Sequence, residues 1–316
     1  MKLVTMCDGQ GRTSAGLLLL DHDNGIQDAP GGAGSATVLA LPYADLLSLL
    51  RDEDGLGQAR SILADADKND TQRYSLSTVQ LLAPLPEPPG LRDFYAFEQH
   101  VKTARSLRGL EIQPEWYEFP TFYFSNCSEI YGPEAAIPYP VGSQALDYEL
   151  ELACVIGREG KNIAAEEADQ YIAGYLIMND WSARDLQRND MALGLGPGKG
   201  KDFATSLGPW LVTPDELASY KHGEPGEERY DLTMQAWING QLLSSNNFKT
   251  VYYSFSRMIA WASHNARLRV GDVFGSGTVG GGCLLELGQQ RHPWLRRGDV
   301  VEMEITGLGR LRNRIE

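Results

Sequence analysis

Ala83-Pro84-Leu85-Pro86-Glu87-Pro88-Pro89-Gly90 divides the chain more sharply than any other stretch, because four prolines fall within six positions. Proline has no amide hydrogen to give, and its ring obstructs the preceding helical turn. The segment therefore enters neither a helix interior nor a central strand, and residues 83–90 read as a linker. Ahead of it, residues 1–82 are expected to form a small N-terminal domain. Its elements would be an opening strand over Met1–Asp8 and two helices. One runs from about Tyr43 to Arg51, the other from about Gln58 to Ala66, where Ala59, Ile62 and Leu63 share a face.

Past the linker, residues 91–316 carry mostly strand signals. Tyr148–Ile156 and Leu232–Ile238 alternate, Ile172–Met178 is a continuous apolar run, and Arg269–Phe274 and Val300–Ile305 add further strands. Helical patterns fall between them, at about Phe94 to Leu107, Trp181 to Asn189 and Tyr253 to His264. The 34 glycines, many of them between strands, suit a turn-rich β architecture. The expected class is α+β and β-rich.

Composition excludes several functions. With 316 residues, 42% of them hydrophobic, the chain can bury a large core or two. Its longest aliphatic run, Leu17–Leu20, falls far short of the ~20 apolar residues that span a bilayer. Met1–Asp8 lacks the apolar core and small-residue cleavage site of a secretory signal, so a cytoplasmic location is expected. A net charge of −14 with no basic stripe argues against nucleic acid and anionic membrane as partners. An anionic substrate would need local cations, either a metal or isolated Arg and Lys. Cys7, Cys127, Cys154 and Cys283 form no C-x-x-C pair and are expected to be free, buried thiols. His22, His100, His222, His264 and His292 match no zinc spacing.

Two glycine motifs fail on context. Gly275 to Gly280 fits G-x-G-x-x-G, but Gly281 to Leu287 continues as glycine and strand where a dinucleotide site needs a helix. Gly196 to Asp202 resembles a phosphate loop, yet it is one residue short and has Asp where Ser or Thr must meet magnesium.

Four segments carry chemistry. In Asp147–Ile156, strand alternation puts Glu149 and Glu151 on one face, about 7 Å apart. Tyr148, Leu150, Leu152, Cys154 and Ile156 form the apolar opposite face. A solvated acidic edge is the plain alternative. Against it, the glutamate face continues as Ala153 and Val155 into the protein, where two carboxylates repel unless a cation lies between them. In Asn179–Gln187, Asp180, Arg184 and Gln187 fall at i, i+4 and i+7 of a helix capped by Asn or Asp. This is either an ordinary capped helix with an ion pair or three groups around one ligand. In Asp93–Val101, Asp93 and His100 lie two helical turns apart near one face, although a lone histidine is commonly a packed one. Lys199–Ser206 offers Lys201 among glycines, as a ligand-approaching loop or as an exposed basic one.

Together these blocks resemble the fumarylacetoacetate hydrolase family. They are Asp93-Phe94-Tyr95 with Gln99-His100, Glu149-Leu150-Glu151, Asp180-Trp181-Ser182-Ala183-Arg184-Asp185 with Gln187, Lys201 with Thr205 and Pro209-Trp210, Ser276-Gly277-Thr278, and Leu285-Glu286-Leu287. The resemblance covers about Asp93 to Glu286. It implies a mixed β-sandwich roll after a small β-rich N-terminal domain, as a homodimer. It also implies magnesium or calcium, with manganese as a further option, held by Asp93, Glu149, Glu151 and Asp180 and supported by Lys201 and Thr205. Four carboxylates without sulfur or imidazole do favour a hard cation.

The implied reaction is metal-assisted cleavage of a C–C bond in a β-diketo acid or acylpyruvate, a small anionic keto acid. On that resemblance His100 is the base oriented by Glu286; Arg184, Gln187 and Lys201 stabilise the oxyanion; Tyr95 and Thr278 hold the substrate. Glu98, at i−2 on a helix, faces away from His100. Met191 stands where fumarylacetoacetases carry a substrate-binding tyrosine, and the stretch from Thr278 to Glu286 is shorter, which argues against fumarylacetoacetate itself. Decarboxylation, hydration or dehydration, and isomerisation of 2-keto acids are the alternatives within the family. A metal-dependent anion-binding protein is the alternative without catalysis.

Overall fold

The computed structural model describes residues 1–20, 36–66 and 71–316; His22 lies outside them. Among the described residues the strands form a twelve-stranded sheet and a five-stranded sheet, with three short two-stranded pairs. The class is α+β and sheet-rich, as the alternating strands require. No described helix is long and apolar enough to cross a membrane.

Lys2–Cys7 pairs antiparallel with Thr205–Val212, which joins the first strand of the chain to the large sheet. Across that sheet, Thr205–Val212 is followed by Ile172–Asp180, Leu150–Ile156, Val273–Gly275, Leu91–Phe94 and Phe122–Ser125. Leu150, Leu152, Cys154 and Ile156 pack into one apolar core, and Ala153 and Val155 into another. Both faces of this central strand are buried, which explains why every residue of it is inaccessible.

The first core is closed by the five-stranded sheet, including Thr233–Ile238, Val300–Ile305 and Gly309–Ile315. The second is closed by helix α1, Leu46–Arg51, through Leu46, Leu49 and Leu50. Burying each such leucine contributes about 1.5–3 kcal/mol. Asp45 caps α1, accepting the Ser48 amide at 2.7 Å, so the helix starts later than Tyr43. The remaining helices are α2, Gly55–Ala64; α3, Glu98–Ser106; α4, Arg184–Ala192; α5, Phe255–Ser263; and α6, Leu284–Leu287.

Four readings of the sequence need correction, the first at Leu284–Leu287, which forms the short helix α6 and not a strand. Phe94 does not begin a helix. Leu91–Phe94 is a strand between Val273–Gly275 and Phe122–Ser125, and α3 starts only at Glu98. Asp93 and His100 therefore do not share a helix face. Likewise Asp180 caps nothing: it is the last residue of a strand, paired with Thr205, and α4 begins at Arg184. Tertiary pairing outweighs local propensity in both places. Finally, only Cys154 and Cys283 are buried; Cys7 and Cys127 are half-buried.

Candidate functional site

The large sheet gathers four acidic side chains that are remote in the chain. Glu151 comes from the start of the central strand and Glu149 from just before it, Asp180 from the end of its neighbour and Asp93 from the other side. One oxygen from each lies within 4.8 Å of the others. All four are buried; Glu151 and Asp180 are wholly inaccessible. Gly275 stands between the Glu151 and Asp93 strands, and a β-carbon there would come 2.7 Å from Asp93 Oδ1. Gly277 has φ of +79°, and its amide donates to Glu151 Oε2 at 3.0 Å. A β-carbon on it would meet the Phe94 carbonyl oxygen at 2.4 Å.

The electrostatics are those of crowded carboxylates. Burial, then the charge of Asp180, pushes Asp93 well above the usual carboxylate range; burial, then Asp93 and Glu149, does the same to Glu151. Burial also raises Asp180, with Lys201 opposing it. Glu149 is buried too, but Lys201 and Arg184 together hold it below the ordinary range. Lys201 Nζ donates to both Glu149 and Asp180, the latter at 2.5 Å, and these two charges raise its own pKa despite burial. Tyr123 donates to Asp180 Oδ2.

Lys201 and Arg184 do not satisfy the whole cluster. Asp93 Oδ1, Glu151 Oε1 and Asp180 Oδ1 are buried with no hydrogen-bond partner. Buried, unpaired carboxylate oxygens are costly, and several converging on one point fit a hard, oxygen-seeking cation such as magnesium or calcium. The donor set contains no sulfur or imidazole.

Asp93, Glu149 and Glu151 line a cavity of about 700 Å³ together with Tyr95, His100, Arg184, Gln187, Lys201 and Thr278; Asp180 belongs to the cluster but does not line the cavity. His100, on α3, is buried, with Nδ1 2.5 Å from Glu286 Oε1 on α6. Glu98 turns away and accepts the Tyr117 hydroxyl at 2.7 Å. Arg184 Nη1 donates to Gln187 Oε1 at 3.1 Å, and Nη2 lies 2.8 Å from Glu149 Oε1. The Tyr95 hydroxyl is pushed up to about 12, mainly by burial. Thr278 Oγ1 is buried without a partner. Thr205 is buried opposite Asp180 on the adjoining strand and does not line the cavity. Met191 lines its rim.

Residues that the sequence reading passed over shape this geometry. Asp147, fully buried, receives Arg184 Nε at 2.8 Å and the Leu284 amide at 2.7 Å. The Asn179 side chain accepts the Glu149 amide at 2.9 Å. Asp147 could have been singled out, as a third acidic residue alternating with Glu149 and Glu151; Tyr123 and Asn179 carry no local signal.

Comparison with known proteins agrees with the fold. The C-terminal domain model of fumarylacetoacetate (FAA) hydrolases matches residues 91–316. A fumarylacetoacetase of Oryza sativa subsp. japonica is 31% identical over 265 residues, covering 66% of this chain and 62% of the relative. The chain thus spans about three fifths of that protein's length. A mitochondrial oxaloacetate tautomerase of Xenopus laevis is 33% identical over 269 residues, covering 83% of this chain and 75% of the relative. The structure of a fumarylacetoacetate hydrolase from psychrophilic Exiguobacterium antarcticum superposes with a TM-score of 0.72 at 25% identity, covering 100% of this chain and 99% of that one. Matched over residues 91–316 and sharing one fold along its length, this chain belongs to the fumarylacetoacetate hydrolase family.

Proposed function

We propose that this chain is a metal-dependent hydrolase that cleaves a C–C bond in an acylpyruvate or related β-diketo acid. The observation that carries the reading is the hydrogen bond between His100 and Glu286, 2.5 Å long, with His100 lining the same cavity as three of the four carboxylates. Asp93, Glu149, Glu151 and Asp180 would hold the cation, with Lys201 bracing two of them and Thr205 behind Asp180. Magnesium or calcium bound there would polarise the keto-acid oxygens and stabilise a departing enolate.

The protein's own groups supply the rest. Glu286 accepts the Nδ1 proton of His100, which leaves Nε2 as the acceptor for a proton from water. The hydroxide so formed adds to the substrate carbonyl carbon; the C–C bond then breaks, and its electron pair takes the proton back from His100. Arg184 and Lys201, both buried and charged, together with the Gln187 amide, stabilise the oxyanion, a contribution on the order of several kcal/mol. The Tyr95 and Thr278 hydroxyls orient the substrate; Tyr95 keeps its proton at neutral pH and so donates. The reading takes residues 1–82 as a small domain beside the catalytic one, in a homodimer.

A tautomerase is the second reading, favoured by the Xenopus relative, since moving a proton between carbon and oxygen uses the same base. Incubating the protein with acetylpyruvate and with oxaloacetate in magnesium separates the two. Pyruvate and acetate released from acetylpyruvate support hydrolysis; interconversion or decarboxylation of oxaloacetate with acetylpyruvate left intact overturns it.

A further inference from the structure

Beside the carboxylate cluster stands a second group of donors, of different chemistry. His100, Cys283 and Glu286 each bring one donor atom, an imidazole nitrogen, the thiol sulfur and a carboxylate oxygen, to within 4.8 Å of one another. Their side chains are almost wholly enclosed: His100 is 6% exposed, Glu286 3%, and Cys283 is inaccessible. Nδ1 of His100 and Sγ of Cys283 lie 2.5 and 3.6 Å from the same oxygen, Glu286 Oε1. The other carboxylate oxygen is held by the Gly281 amide at 3.0 Å, so Oε1 is the atom that meets both partners.

We propose that His100, Cys283 and Glu286 form a binding site for a thiophilic divalent cation, zinc above all, whose occupation silences the imidazole. Zinc takes nitrogen, sulfur and oxygen at 2.0–2.3 Å in tetrahedral geometry, which sets its donors about 3.5 Å apart. The Cys283–Glu286 spacing is already of that size. The His100–Glu286 spacing needs to widen by about 1 Å, a small turn of one carboxylate. His100 lines the cavity, so an ion would reach the site from there. The thiol proton leaves to solvent as the metal enters. Magnesium and calcium prefer oxygen alone, so the two adjoining sites sort metals by softness.

The three donors come from α3, from the residue capping α6 and from α6 itself, which is why no spacing template in the sequence reveals them. The binding does not depend on the proposed reaction; the inhibition does, because it follows from His100 being the base. Zinc on Nδ1 and the Glu286 oxygen leaves the ring proton on Nε2, so water meets no proton acceptor.

Cobalt(II) serves as a spectroscopic stand-in for zinc. Titrated into the full chain at saturating magnesium, it is expected to raise a thiolate-to-cobalt charge-transfer band that saturates at one ion per chain. Zinc should displace the band, and Cys283→Ser should lack it. Losing an outer partner already costs 10–100-fold in metal affinity, so losing a direct ligand should raise the zinc needed for inhibition by at least about tenfold. Inhibition of Cys283→Ser is read against that variant's own zinc-free turnover. No band in the unaltered protein overturns the site, as does zinc inhibition that excess magnesium relieves and Cys283→Ser leaves unchanged. Where Cys283→Ser fails to fold, Cys283→Ala and the band in the unaltered chain still decide. Failure of every keto acid to turn over would sink the hydrolase reading and leave the band standing.

Discussion

Asp147 grips one edge of Arg184, with Nε and Nη2 each 2.8 Å from Oδ2. The same carboxylate receives the amides of Leu284 and Leu285 at 2.7 and 3.0 Å, at the start of α6. Two parts of the candidate site, the buried cation and the helix carrying Glu286, thus share one anchor. Removing one partner of a buried ion pair costs about 3–5 kcal/mol, because the other charge stays desolvated. Asp147→Ala should therefore lose about that much stability in urea unfolding, and turnover should fall with it. A variant within about 1 kcal/mol of the parent would mean the network carries little.

Acidity and metal should be linked with a definite sign. Asp93 and Glu151 are raised well above the ordinary carboxylate range, by burial first and then by neighbouring charges. A carboxyl whose folded value is raised stabilises the fold below its unfolded value, about 4, and that stabilisation is lost as pH climbs through the folded value. A cation needs both groups ionised, so it offsets a loss that grows with pH. The gain in Tm from magnesium or calcium should be larger at pH 8 than at pH 5.5; at a hundredfold excess over Kd it corresponds to about 2.7 kcal/mol. A gain equal at both pH values would separate these carboxylates from the metal.

Neutralising one of the crowded charges tests the same balance from the other side. Glu151 is inaccessible, and its Oε1 is without a partner. Glu151→Gln keeps the shape and an acceptor for the Gly277 amide while removing a repelled charge. The metal-free variant should melt higher than the metal-free parent in the same buffer, and its response to magnesium should vanish. A lower melting temperature together with an intact magnesium response would refute the idea that repulsion is stored there.

How much of this was legible beforehand depended on whether neighbours in the chain are neighbours in space. Glu149 and Glu151 read directly, because alternation fixes their common face and Ala153 and Val155 on that face enter a core. Val300–Ile305 read to the residue, since one buried face imposes a strict period of two. Asp93 and Asp180 were found with the wrong scaffold: aromatic and capping residues suggested helices where pairing with Phe122–Ser125 and Thr205–Val212 imposes strands. His100 and Glu286 could be joined only through the family resemblance. Asp147, Tyr123 and Cys283 stayed hidden, because their partners lie across the sheet or beyond a distant loop.

His100 and Glu286 should behave as one unit. His100→Ala removes the only imidazole that lines the cavity among the described residues, and turnover of a cleaved keto acid should fall about 10²–10⁴-fold with magnesium affinity unchanged. Glu286→Gln should lose less, since the imidazole remains and only its orientation and charge support go. The double variant should be little worse than His100→Ala, the non-additivity expected of groups that act together. Additive losses in kcat would place Glu286 in another role.

Gly277 separates backbone strain from a tight fit. Its φ of +79° would strain any other residue by about 1–2 kcal/mol. Gly288, at φ of +80° and ψ of 151°, has open space where a β-carbon would go, so Gly288→Ala should cost backbone strain alone, about 1–3 kcal/mol. At Gly277 the added carbon falls 2.4 Å from the Phe94 carbonyl oxygen, and that oxygen belongs to the strand that carries Asp93. Backbone cannot swing aside as a side chain does, so either the Asp93 strand or the Gly277 amide bound to Glu151 must move. Gly277→Ala should therefore lose at least about 1 kcal/mol beyond the backbone strain itself. It should also bind magnesium more weakly by calorimetry, whereas Gly288→Ala should bind as the parent does. Equal magnesium affinity in the two variants would show that the cluster tolerates displacement of the loop, and that the close approach of Gly277 to Phe94 does not set its geometry.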